Sequence, residues 1–142
     1  MAGEVPAKVI KMLKGVPLLS ACTARELQMV GNLGTMIEVD EGSVLTRQGT
    51  VGREFFLLVD GKAGCSIDGK RVATFGPGDF FGEMALLDRG PRHATVTVEG
   101  AGRVLVLDGR EFSRLLDASP SIARKLLTAL AERERMNATI RS

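Results

Sequence analysis

A chain of 142 residues, 44% hydrophobic and 25% charged, can bury one core and lies near globular averages, which excludes disordered and fibrous classes. The formal net charge of +2 comes from signs mixed along the chain rather than from a basic block, so no electrostatic footprint for nucleic acid is implied. No run approaches the roughly 18 apolar residues of a membrane span, and Met1 to Met12 lacks a secretory apolar stretch, so the expected address is the cytoplasm.

In chain order, a short helix is expected from Pro6 to Lys14. Thr23-Ala24-Arg25-Glu26 then has capping-box spacing, with hydroxyl and carboxylate closing the first turn of a helix that runs to about Leu33. Of the 17 glycines, three precede Gly34 and none follows Gly109, which marks the middle of the chain as a different kind of structure. That middle reads as short strands: Thr35 to Val39, Ser43 to Arg47, Glu54 to Val59, Lys62 to Ser66, Arg71 to Phe75, Ala94 to Val98 and Arg103 to Leu107. Asp60-Gly61 and Asp68-Gly69 tolerate positive φ and are read as hairpin turns. The spacing suggests a jelly-roll-like β-roll, mainly β with flanking helices.

After Gly109 a short helix is expected from Arg110 to Leu116. Pro120 then opens a longer one at a first-turn position where its missing N–H is not needed. Ile122, Leu126, Ala129, Arg133, Met136 and Ile140 recur at steps of four and three and share one stripe of that helix. The expected organisation is a single domain over residues 1–142: helices in 1–33, a β-roll in 34–109 and C-terminal helices in 110–142.

One segment fits neither a strand nor a tight hairpin: Gly76 to His93, between the strands ending at Phe75 and starting near Ala94. Gly82 permits close backbone approach, and Glu83, Met84, Ala85 and Leu86 favour helix, so a short inserted helix would present free N–H groups at its start. Such a start attracts an anion. Arg92, which follows Pro91 at the beginning of a strand, could return to the same spot and hold phosphate oxygens in its fork.

Phe81-Gly82-Glu83-Met84-Ala85-Leu86-Leu87, followed by Pro91-Arg92-His93-Ala94-Thr95-Val96, resembles the phosphate-binding cassette of the cyclic nucleotide-binding domain family, with the cassette spanning residues 80–96. The order of elements from about Pro17 to Glu134 resembles the same family. The resemblance implies that amides near Gly82, Glu83, Met84 and Ala85 receive the cyclic phosphate, that Glu83 takes the ribose 2′-hydroxyl and that Arg92 neutralises the phosphate. Phe81, His93 and Ala94 complete the expected ligand contacts. The chemistry agrees: a cyclic phosphodiester carries one negative charge, which one arginine and oriented amides can meet.

The family commonly has a small residue after the arginine, often alanine in cAMP binders and threonine in many cGMP binders, whereas this chain has His93. The imidazole could touch phosphate or base, or point into solvent while only its backbone makes contact. The expected ligand is cAMP, with cGMP the other candidate, and no further cofactor. Arg133 reads either as a lid stacking its guanidinium over the purine or as a solvated helix-end charge, and Met136 is a second lid candidate. The stripe through Leu126 and Ile140 could instead make a coiled-coil-like homodimer contact.

Other classes are disfavoured. His93 is the single histidine, too few for a barrel-type metal site. Cys22 and Cys65 lack metal-ligand spacing and read as reduced structural thiols. Ser66, Cys65 and Thr95 lie in no nucleophile motif, so no enzymatic activity is expected. Nothing follows the long helix that could form a helix-turn-helix, so direct DNA binding by this chain is not expected. The expected function is a sensor that converts cyclic nucleotide binding into repositioning of its C-terminal helices; the alternative is an interaction module that keeps the fold without the ligand.

Overall fold

The fold was established from a computed structural model, which describes residues 6–15, 19–82, 90–125, 127–128 and 131–132. Helix α1 spans Ala7–Lys14 and α2 spans Ala24–Leu33. The capping box forms as expected: Glu26 N donates to Thr23 Oγ1 at 3.2 Å, and Thr23 N donates to Glu26 Oε1 at 2.8 Å. Six strands follow: β1 Thr35–Val39, β2 Val44–Thr46, β3 Glu54–Ile67, β4 Lys70–Phe75, β5 Phe80–Phe81 and β6 Thr95–Asp108. All pair antiparallel, in the order β1-β6-β3-β4, with β2 also on β6 and β5 also on β3. The architecture is the expected β-roll with flanking helices.

Of the two expected hairpin turns, one forms and one does not. Asp68 (φ 53°) and Gly69 (φ 80°) do make the tight turn between β3 and β4. Asp60-Gly61, by contrast, is no hairpin: β3 continues through it and keeps β6 as partner, with the register slipping between Leu58 and Ala63. The positive φ of Gly61, 98°, serves a bulge that bends the long strand rather than reversing it. The opposite strand bends at the same level, where a Cβ on Gly102 would lie 2.1 Å from Asp60 O. Arg103 Nε donates to the Asp60 carboxylate at 2.8 Å and secures the bend. The expected pairs of short strands are therefore two 14-residue strands, β3 and β6, that fold over together.

These two strands are buried on both faces, which explains their unbroken apolar runs. Phe55, Leu57 and Val59 of β3 and Leu105 and Leu107 of β6 face the helices, with Leu13, Leu27, Phe112, Leu115 and Ile122. Phe56, Leu58, Cys65, Val96, Val98 and Val104 face the interior of the roll. Both thiols are buried and unbridged, and burial raises their pKa, so neither is activated.

Helix α3, Gly109–Ala118, is longer than the expected Arg110 to Leu116 because Asp108 and Glu111 form a second capping box. Ser119 Oγ then accepts from Ile122 N at 3.2 Å, and helix resumes at residues 120–125 with Pro120 in its first turn. Ile122 is fully buried. The later stripe members Leu126, Ala129, Arg133, Met136 and Ile140 lie outside the described residues, as does the expected inserted helix. Among the described residues no helix is long and apolar enough to cross a membrane.

Candidate functional site

The segment that leads into the site begins as a strand, not as irregular chain. Phe80 and Phe81 extend β5 against Leu57 and Phe56 of β3, and strand alternation sends their rings into different cores. Phe80 meets Phe55 with ring centroids 5.8 Å apart, whereas Phe81 stacks between Phe56 at 5.1 Å and Phe75 at 5.2 Å. Phe81 is thus a core anchor that fixes where the following residue begins.

That residue is Gly82, at φ 84°. A Cβ there would lie 2.6 Å from Glu54 O and 2.9 Å from Arg92 Nη1, so both conformation and space require glycine.

Arg92 arrives from the other side. Its N donates to Thr50 O at 2.8 Å and its O accepts from Gly49 N at 2.9 Å, which clamps its backbone to the loop after β2. Neighbouring side chains extend the clamp: Thr46 Oγ1 donates to Ala94 O at 3.0 Å, and Thr95 Oγ1 accepts from Gln48 N at 3.0 Å. The guanidinium passes so close to Gly52 that a Cβ there would lie 2.5 Å from Nε. Its carbon sits 5.9 Å from the Phe56 ring centroid.

The arginine is an unusual charge. Its side chain is only 6% exposed, and Nη2 donates at 3.0 Å both to Glu54 O and to Glu54 Oε2. Nη1 is buried with no hydrogen-bond partner among the described residues. Desolvation lowers the Arg92 pKa, and the neighbouring Glu54 carboxylate acts in the opposite direction. A buried cation with half of its fork unsatisfied is costly, and an anion beside Nη1 and Gly82 would relieve that cost. A cavity of about 280 Å³ opens on the Glu54 side, lined by Thr46, Arg47, Thr50, Gly52, Glu54 and Arg92 among others.

The structure therefore brings Phe81, Gly82 and Arg92 together. His93 is exposed, and Ala94 is half-buried with its carbonyl engaged by Thr46. Glu83, Met84 and Ala85, and the lid candidates Arg133 and Met136, lie outside the described residues. Glu54 and Gly52 escaped the sequence reading. The demand of a buried arginine for a carboxylate was a usable signal, but nothing in the sequence said which carboxylate. Among the described residues no cluster of three or more His, Cys, Asp or Glu side chains could hold a metal ion.

Known proteins give this arrangement its relatives. Residues 36–119 match the model of the cyclic nucleotide-binding domain. The chain is 33% identical to the cAMP-dependent protein kinase regulatory subunit of Schizosaccharomyces pombe over 114 residues, which are 80% of this chain and 28% of that protein. It thus spans less than a third of that relative. Among solved structures, the N-terminal domain of a transcriptional regulator from Streptomyces coelicolor A3(2) superposes with a TM-score of 0.80 at 28% identity, covering 91% of this chain and 93% of that one. The cAMP-bound PfPKA-R (141-441) superposes with a TM-score of 0.70 at 31% identity, covering 88% and 46% respectively. Because the family match spans more than half of the chain and contains the roll, Gly82 and Arg92, this chain belongs to the cyclic nucleotide-binding domain family.

Proposed function

We propose that the domain is a non-catalytic sensor of cAMP in which Arg92 Nη1 and the backbone from Gly82 onward take the cyclic phosphate. The observation that carries this reading is the buried Arg92 guanidinium, whose Nη1, beside Gly82, has no hydrogen-bond partner among the described residues. In the same reading Glu83 accepts from the ribose 2′-hydroxyl, the amides of Met84 and Ala85 complete the phosphate cradle, and exposed His93 contributes its backbone. The cAMP-bound state of one structural relative and the cAMP dependence in the name of the kinase subunit favour adenine over guanine. Binding would reposition the trailing helices through a base contact from Arg133 or Met136, since a ligand shifts an equilibrium only by its differential affinity for the two states.

Calorimetric titration with cAMP, cGMP and 5′-AMP tests this. Saturable cAMP binding is expected, and Arg92→Ala should weaken it by about 2 to 5 kcal/mol, some thirty-fold to several thousand-fold. Silence from all three nucleotides would instead favour an interaction module that keeps the fold without the ligand.

A further inference from the structure

Arg92 already has an anion. Glu54, the first residue of β3, grips one guanidinium nitrogen with both its carbonyl and its carboxylate, while Nη1 on the other arm has no hydrogen-bond partner among the described residues. The Glu54 side chain is half-exposed and its Oε2 also accepts from Arg53 N at 3.0 Å, so the carboxylate is held by the backbone of the preceding residue as well as by Arg92. In the cyclic nucleotide reading, the site is thus a cation shared between an internal carboxylate and an incoming phosphate.

Resting on the cyclic nucleotide reading, we infer that Glu54 is a specificity-determining residue, which selects singly charged phosphodiesters over doubly charged phosphate monoesters. A guanidinium paired with a carboxylate has no net charge, so its long-range pull on an incoming anion is largely cancelled. Short-range donation from Nη1 and the nearby amides remains. The repulsion from Glu54 grows in proportion to the charge of the ligand. A cyclic phosphodiester bears one negative charge. A 5′-monophosphate at neutral pH bears nearly two, because its second proton leaves near pH 6. The carboxylate therefore penalises 5′-AMP about twice as strongly as cAMP, with no need for a steric filter.

The same pairing stabilises the empty domain, since without it the buried guanidinium would lack a counter-charge. Removing the negative charge while keeping the shape should therefore move stability and affinity in opposite directions. A purely structural residue would lower both.

The test displaces a fluorescent cAMP analogue with cAMP and with 5′-AMP, comparing the wild type with Glu54→Gln and Glu54→Asp. In Glu54→Gln the ratio of the 5′-AMP to the cAMP dissociation constant should fall by about three- to tenfold, with cAMP itself bound no more weakly. The ligand-free melting temperature of this variant should drop by about 3 to 5 °C. Glu54→Asp, which keeps the charge, should keep the selectivity and guards against a folding defect in the glutamine variant. An unchanged or increased ratio in Glu54→Gln would overturn the assignment while leaving the nucleotide site intact. A wild type that binds neither the analogue nor cAMP would overturn the cyclic nucleotide reading itself, and the assignment with it.

Discussion

The guanidinium of Arg92 is held between two glycines that fail in different ways when a methyl group is added. At Gly52 the new Cβ would lie 2.5 and 2.6 Å from Arg92 Nε and Nη2, atoms at the end of a flexible side chain that can move away. Gly52→Ala should therefore fold, but with the fork displaced. We expect cAMP affinity to fall about tenfold or more, with a modest change in melting temperature, in parallel calorimetric and thermal measurements. At Gly82 the obstruction is the backbone oxygen of Glu54 and φ is positive, so substitution there strains the chain itself. This contrast also marks what the sequence could reveal. Gly82 and Arg92 are legible because they lie ten residues apart within one segment, although Arg92 precedes the strand it was expected to open, β6 beginning only at Thr95. Gly52 and Glu54 lie about forty residues upstream, and they meet Arg92 through the rung between Thr50 O and Arg92 N, which no local pattern records.

Among the elements, the two long bent strands give the roll its shape. Gly61 and Gly102 pack backbone to backbone at the bend, and a Cβ on Gly102 would lie 2.1 Å from Asp60 O and 2.7 Å from the carbonyl carbon behind it. Neither atom can move without opening the β3–β6 pairing. Gly102→Ala should therefore cost more than about 4 kcal/mol, the range reserved for disrupted backbone packing. Gly100→Ala, where the added carbon meets nothing, should be neutral or slightly stabilising. Urea unfolding midpoints of the two variants check the pair, and similar midpoints would show that the bend tolerates a side chain. The same geometry explains why Asp60-Gly61 resembled a hairpin in the sequence: a bulge and a tight turn both ask for a residue at positive φ. Only the long-range partner strand tells them apart. Thr23-Glu26 and Asp68-Gly69 are legible in the sequence because capping boxes and two-residue turns are closed within four residues.

Across the whole molecule, the site and the trailing helices pack against the same two long strands. β3 and β6 contribute one face to the roll interior, where Phe56 and Phe81 support Gly82 and Arg92, and the other to the helix-side core that buries Ile122. The helix at residues 120–125 is also held by Lys125, whose Nζ donates to Glu26 Oε1 at 2.7 Å. That oxygen also closes the α2 capping box, so one carboxylate ties the start of α2 to the helix at residues 120–125. The bond from Lys125, with the backbone bond from Thr23, lowers the Glu26 pKa. A carboxylate with a lowered folded-state pKa contributes stability that is fully present above its ordinary range, about pH 4 to 5, and is lost as pH falls through the lowered value. Lys125→Met should therefore melt below the wild type at neutral pH, and the gap should close as the solution is acidified below about pH 4. A gap independent of pH would assign the role of Lys125 to its aliphatic packing. Hydrogen exchange at neutral pH separates the local from the global consequence. If the Glu26 contact fastens the trailing helix to the roll, amides of residues 120–125 should exchange faster in Lys125→Met, while those of β3 and β6 keep their order of protection. Uniform loss of protection would mean that the helix opens only when the whole domain unfolds, leaving no independent motion for a ligand to bias.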